Sequence, residues 1–282
     1  MSDQSSRQTV SRLFPAPQQS LPLEGLYLNH QLHTRGRDEA PYVYSNFITS
    51  LDGRIATGGN GRATHTVPAA ITNPRDWRLY QELAGQADIL ITSGRFYRQS
   101  SIGEAQDLLP VGSQPAFADI RRWRIEQGLQ PQPDIAIMSG SLDIPLDTLQ
   151  PYRKRRLIVV TGSGADENRV NALQDNGIEV FRAGPDRQAD GGMMIQQLAA
   201  AGYRSLYAIA GPAVFGTLLQ ARVVNRLYLT FACRLLGGHE FDTLTRCEPL
   251  VPAQGMQLGS LYHDPHAQAG AGQLFAVFEP GA

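Results

Sequence analysis

Seven short runs, apolar nearly from end to end, limit what this chain can fold into: 42–48 (YVYSNFI), 88–93 (DILITS), 134–139 (DIAIMS), 157–161 (LIVVT), 205–210 (SLYAIA), 226–232 (RLYLTFA) and 273–279 (QLFAVFE). A strand with one wet face alternates apolar and polar residues, whereas a run without alternation belongs to a strand covered on both faces. Helix-like segments separate the runs. Asn73 and Pro74 open 73–85 in N-cap and first-turn positions, 117–128 follows, Gly177 closes 165–177, Gly202 closes 190–202, and Gly211 opens 211–221. Strand and helix in alternation predict an α/β fold, a mostly parallel twisted sheet flanked by helices through right-handed crossovers. The last two runs are separated by Gly, Pro, His and polar residues without a clear helix, which predicts antiparallel C-terminal strands.

The chain has 282 residues, enough for a sizeable core. No composition shift marks a second folding unit, so 39–282 is expected to form one domain. Residues 1–38, rich in Ser, Gln and Pro, are expected to be an extension that is partly disordered or draped over the surface. A formal net charge of −1 gives no field that would gather nucleic acid or an acidic membrane, so neither is expected as a partner. No window approaches a spanning length of apolar residues, the N-terminus lacks an apolar leader core, and the two cysteines form no framework. Together these features predict a cytoplasmic protein.

In open α/β sheets ligands bind beyond the carboxyl ends of the strands, so the residues after each run are the candidates. Four such segments are rich in hydroxyls, glycines and free amides: 49–66 (TSLDGRIATGGNGRATHT), 92–101 (TSGRFYRQSS), 161–168 (TGSGADEN) and 210–216 (AGPAVFG). At the last of these, Gly211 permits a tight turn and Pro212 starts a helix, whose free amides suit an anion. The same residues also make a plain strand-to-helix turn. Thr161 and Ser163 can hydrogen-bond a ribose or phosphate, while Asp166 reads as a helix N-cap. His65 can stack on a ring or donate a proton, or be an uninvolved surface histidine. The HDPH stretch at 263–266 reads as a proline turn, and no metal site is expected. There is no G-x-S-x-G elbow or P-loop.

Three stretches carry a resemblance: FITSLDGRIA (47–56), ADILITSGRFYRQ (87–99) and SLYAIAGPAVFGTLLQARVVNRLYLTFACRLLGG (205–238). In this order they resemble the C-terminal reductase domain of the bacterial riboflavin-biosynthesis deaminase/reductase, over about 42–279. The resemblance implies a dihydrofolate-reductase-like fold, a homodimer, and NADPH-dependent reduction of a small metabolite, as in 5-amino-6-(5-phosphoribosylamino)uracil reductase. It implies a cofactor along Ile48, Thr49, Asp52, Gly53, Thr64 and His65 after the first run, and Ser93, Gly94, Arg95 and Gln99 after the second. Thr161 would contribute from the fourth, and Ala210, Gly211, Pro212, Ala213 and Val214 would hold the pyrophosphate. Asn46, Arg62 and Arg98 are the implied substrate contacts, and no catalytic residue is assigned.

The Asp52 turn and the Gly211 turn are then expected to face each other across one cleft. Departures from the family pattern fall at Arg95 and Gln99 (family G-T-x-x-x-D), at Ala210–Pro212 (family E-G-G) and at Leu83, where the family carries a substrate arginine. They leave open a second reading, a nucleotide- or metabolite-binding protein without turnover on the same fold. The apolar character of 226–232 and 273–279 adds a reason to expect a dimer, because an uncovered edge or face there would associate.

Overall fold

The computed structural model describes residues 8–58, 65–105, 108–267 and 270–281. Among them, every one of the seven apolar runs is a strand: β3 (Tyr42–Ser50), β5 (Ile89–Ser93), β6 (Asp134–Met138), β7 (Leu157–Thr161), β9 (Ser205–Ala208), β10 (Arg226–Ala232) and β13 (Gln273–Pro280). The expected helices are α1 (Pro74–Gly85), α3 (Ala118–Glu126), α4 (Glu167–Asp175), α5 (Gly191–Ala200) and α6 (Pro212–Gln220). An additional helix, α2 (Gly94–Ser101), follows β5 directly. The sequence reading missed β1 (Thr9–Phe14), β2 (Gln19–Pro22), β8 (Glu179–Arg182), β12 (Met256–Asp264) and the short β4 (Ala56–Thr57) and β11 (Phe241–Asp242). β8 and β12 escape notice because both carry exposed polar residues, as outer strands do.

Eleven of the described strands form one sheet in the order β2-β1-β12-β13-β10-β3-β9-β5-β6-β7-β8, and β4 pairs separately with β11. From β10 to β8 all neighbours are parallel, and from β10 back to β2 all are antiparallel. Alternate residues of the central strands feed two cores. Leu90, Ile135 and Ile137 pack with α1, α3 and α4 residues such as Leu79, Leu83, Ile120 and Leu173. Ile89, Ile91 and Ala136 pack on the other face with Met194, Leu198, Phe215 and Leu218 of α5 and α6. Both faces are therefore dry, which is why these strands show no alternation in sequence. Among the described residues no helix is long and apolar enough to cross a membrane.

Two expectations are corrected here. The described part of the N-terminal segment is not draped over the surface: β1 pairs with β12, and β2 with β1, so the sheet runs through the expected boundary at 38/39. Its polar composition reflects an outermost position, since β2 is mostly exposed. Nor do β10 and β13 offer an uncovered edge, because each is paired on both sides.

Polar side chains of α1 hold the N-terminal segment in place. The buried Glu82 carboxylate accepts the amides of Gly25 (2.6 Å) and Tyr27 (2.9 Å) and is paired with Arg78, whose Nε lies 2.8 Å away. Gln86 accepts the Leu32 amide and donates to the Tyr27 carbonyl, both at 2.8 Å. Removing one member of such a buried set leaves its partners unsatisfied, at a cost of about 3–5 kcal/mol. Glu82→Ala is accordingly expected to lower the urea midpoint by that equivalent. A midpoint within experimental error of wild type would show that the segment is not anchored this way.

Candidate functional site

Strand order dictates where a cleft opens. From β5 the chain steps outward through β6, β7 and β8, then returns to place β9 between β5 and β3 before crossing to β10. The helices after β5 and β9 therefore lie on opposite faces: Tyr97 of α2 joins one core, and Val214 and Phe215 of α6 the other. The carboxyl ends of adjacent strands are thus left uncovered between diverging helices, the position where open α/β sheets bind ligands.

A cleft of about 740 Å³ occupies this point. Asn46, Phe47 and Ile48 of β3 line it, with Asp76, Trp77 and Tyr80 of α1, Thr92 and Ser93 of β5, Arg95, Phe96 and Gln99 of α2, and the turn Ile209–Pro212 after β9.

Three helices start at the cleft, and two of them, α2 and α6, lack side-chain caps. Gly211 is the N-cap of α6 and Ser93 that of α2, and neither supplies a capping hydrogen bond. Asn73, which itself lines the cleft, caps α1 with its side chain, Asp166 and Asp190 cap α4 and α5, and α3, which does not line the cleft, has no side-chain cap. First-turn amides without an acceptor, at the positive end of a helix, favour an anion. A Cβ at Gly211 would meet nothing within 4 Å, so the turn backs onto open space. Gly94 serves packing: a Cβ there would lie 2.9 Å from the Ser139 hydroxyl.

A charged cluster closes one side of the cleft. The buried Asp242 carboxylate lies 3.2 Å from His65 Nδ1, 3.0 Å from an Arg246 nitrogen and 4.0 Å from an Arg95 nitrogen. Arg95 also donates to the His65 carbonyl at 3.3 Å. One cation at the mouth is thus tethered to the histidine segment, with Asp242 orienting the ring. The sequence concealed this, because Asp242 lies in a stretch with no periodic pattern.

Sequence reasoning also missed Asp76, which as a first-turn residue of α1 reads as an ordinary helix-dipole acid. In the fold it lines the cleft, and its Oδ1 accepts the Thr230 hydroxyl at 2.6 Å. Burial pushes its carboxyl up to about 6, with the Thr230 hydrogen bond opposing. Among the described residues it has no ion-pair partner, unlike Glu82. Trp77 and Tyr80 stack beside it with centroids 4.8 Å apart, and Tyr207 donates to Asn46 Oδ1 across the same wall.

Of the residues expected at the site, the cleft gathers Asn46, Ile48, His65, Ser93, Arg95, Gln99, Ala210, Gly211 and Pro212. Others lie elsewhere. The Asp52 carboxylate accepts the Leu236 and Gly237 amides and pairs with Arg54, so it ties its turn to 236–237 instead of facing the cleft. The Ser50 hydroxyl first, then the Gly237 amide, hold Asp52 down to about 2. Gly53 has φ +82°, which that turn requires. What the loop turns toward the cleft is Ile55, Ala56 and His65.

Thr49 is buried with its hydroxyl on the Ser50 carbonyl, Thr161 at the end of β7 donates to the Arg187 carbonyl, and Arg98 donates to the Asp143 carbonyl. Ala213 and Val214 form the first turn of α6, with Val214 in the core. Leu83 is also a core residue, away from the cleft. Arg62 and Thr64 lie outside the described residues.

The model of the RibD C-terminal domain family matches residues 41–261. A pyrimidine reductase-like protein from Corynebacterium diphtheriae is structurally similar, with TM-score 0.64, 19% identity, and coverage of 86% of this chain and 92% of that one. The riboflavin biosynthesis reductase of Saccharomyces cerevisiae gives TM-score 0.56 and 15% identity over 91% of this chain and 99% of that one. RibD of Acinetobacter baumannii gives 0.55 and 16%, over 86% of this chain and 58% of that longer one. At these identities the structures establish the fold. No curated protein matches the sequence.

The environment of Asp76 has a thermodynamic signature. A carboxyl raised to about 6 from its ordinary value of 3.8 binds its proton more tightly folded than unfolded. Stability should then fall as pH rises between those values and carry a fixed penalty above them. Asp76→Asn keeps an acceptor for Thr230 and removes the charge. Its melting temperature should exceed that of wild type by on the order of 5 °C at pH 8, with the gap closing near pH 4. An equal or lower melting temperature at pH 8 would contradict the assignment.

Proposed function

Because this chain belongs to the RibD C-terminal domain family, we propose that it is an NADPH-dependent reductase of a small nitrogen heterocycle, a pyrimidine-reductase-like enzyme. The observation that carries the reading is the cleft at the β5/β9 reversal, flanked by two helix N-termini without side-chain caps. A dinucleotide presents anionic phosphates and a flat apolar ring, and the cleft has a place for each.

The fit rests on particular residues. The amides at the start of α6, with Gly211 leaving room for close approach, and those at the start of α2 would hold phosphate oxygens. Arg95 adds a guanidinium able to take a phosphate with two parallel bonds. When bound, reduced nicotinamide supplies the hydride. The chain's own contribution is placement and exclusion of water: Phe47, Ile55, Phe96 and Leu109 make apolar walls, and Asn46 and Asp76 supply the polar contacts that orient a substrate. His65, oriented through Nδ1 by Asp242, can hold a proton at the cleft edge.

The same proposal includes a homodimer, on the strength of the family resemblance, and a cytoplasmic setting, with Cys233 and Cys247 both unpaired. The small-molecule substrate is the partner that the cleft addresses.

The test separates catalysis from mere binding. Calorimetry should show saturable binding of NADPH, and purified protein should oxidise NADPH in the presence of oxidised pyrimidines or pteridines. Binding without oxidation across such a panel would favour the non-catalytic reading, and no binding would remove both. Gly211→Val should leave the melting temperature nearly unchanged, since its Cβ faces open space and the backbone φ is −71°. It should nevertheless weaken NADPH at least tenfold. Unchanged affinity would displace the cofactor from this turn.

A further inference from the structure

Asp242 is a buried carboxylate, 6% exposed, approached by nitrogens from three separate segments. Arg246 Nη2 lies 3.0 Å from its Oδ1, while His65 Nδ1 and Arg95 Nη1 lie 3.2 Å and 4.0 Å from its Oδ2. Its backbone is fixed, because the Asp242 carbonyl accepts the Ile55 amide at 3.0 Å beside the β4/β11 pairing. The two guanidinium groups are freer. Arg95 is 41% exposed and Arg246 71%, and among the described residues each makes one side-chain hydrogen bond, Arg95 to the His65 carbonyl and Arg246 to Asp242. Most of each five-donor fork is therefore open. Arg246 is also fastened beside the Gly211 turn, since its amide donates to the Pro212 carbonyl at 3.1 Å. Arg95 stands in the first turn of α2, the other uncapped helix start. Glu240 is placed differently: a Cβ at Gly58 would lie 2.8 Å from its carboxylate and 3.1 Å from the His65 ring, and among the described residues it pairs with neither arginine.

We propose that Arg95 and Arg246 are the two arms of a phosphate clamp at the cleft mouth, with Asp242 as the internal anion that holds them in register while the clamp is empty; this rests on the reductase reading above. Two guanidinium groups converging without an anion repel each other, and a carboxylate offers them the paired oxygens that a phosphate also presents. A phosphate that engages the open donors of both forks and the first amides of α6 does more than Asp242, which is confined by its backbone. Asp242 is a positioning residue with two opposed effects, for it places the arms and repels the incoming phosphate. Asparagine at this position keeps an oxygen acceptor for Arg246 and removes the repulsion, so Asp242→Asn should tighten phosphate binding.

The test titrates NADPH, NADH and ribose 5-phosphate calorimetrically into the full chain at pH 7, in wild type, Arg246→Gln and Asp242→Asn. The expected result is a loss of about fivefold or more in Arg246→Gln for at least one of the three, and a gain of about threefold or more for the same ligand in Asp242→Asn. An acid that only braced the β4/β11 ribbon would give the opposite sign. The ligand that responds identifies the phosphate: both dinucleotides mean the diphosphate, NADPH alone means the 2′-phosphate, and ribose 5-phosphate means that of a phosphorylated substrate. Unchanged affinity for all three in Arg246→Gln overturns the proposal, as does equal or weaker binding in a folded Asp242→Asn. Should Asp242→Asn fail to fold, Arg246→Gln, which alters an exposed side chain, decides alone. NADPH binding with no ligand affected in Arg246→Gln refutes the clamp and spares the reductase reading. Absence of NADPH binding, with ribose 5-phosphate responding as described, refutes the reductase reading and leaves the clamp standing. No binding of any of the three to wild type overturns both.

Discussion

The return of the chain to place β9 between β5 and β3 is the constraint on which the rest depends. Right-handed crossovers require α2 and α6 to leave on opposite faces once the strand order reverses, and neither helix can then cover the strand ends between them. The cleft is therefore a consequence of topology. Its rigidity comes from the ladder beneath it, where Ile89, Leu90 and Ile91 of β5 are fully buried and pair with β6 on one side and β9 on the other.

Two acids on one helix show how this fold separates support from recognition. Glu82 and Asp76 both belong to α1, and burial raises the carboxyl of each. Glu82 faces the protein interior, where backbone amides and Arg78 satisfy it, and its effect is to lock the N-terminal segment onto the helix. Asp76 faces the cleft, where Thr230 satisfies it in part. Position on the helix, six residues apart, decides between the two: one side of α1 meets the core and its N-terminal turn meets the cavity. Of the three helices that start at the cleft, α1 is capped by the Asn73 side chain, whereas α2 and α6 reach it without a side-chain cap.

Much of the architecture was legible from the sequence because burial on both faces writes itself as unbroken apolar runs. All seven became strands, and the capping signals at Asn73, Asp166 and Gly211 marked true helix starts. Outer strands carry no such signature. β1, β2 and β12 build one end of the sheet with polar residues, so their pairing is specified by tertiary contacts such as Glu82 with the 25–28 backbone.

The site was legible where it depends on turn chemistry, at Gly211 and Ser93. It was hidden where it depends on residues brought together from distant parts of the chain: Asp76 with Thr230, and His65 with Asp242. The Asp52 turn misled because its glycine and acid serve the chain's own amides at 236–237.

The seat at the strand reversal is what a reduced dinucleotide would have to occupy. A crystal structure of the protein grown with NADPH tests it most directly. The prediction is density for the dinucleotide across the ends of β5 and β9, phosphate oxygens on the first amides of α6, and the nicotinamide ring in the same cavity as Asp76. Dinucleotide bound elsewhere, or a cavity that excludes it at saturating concentration, would contradict the account.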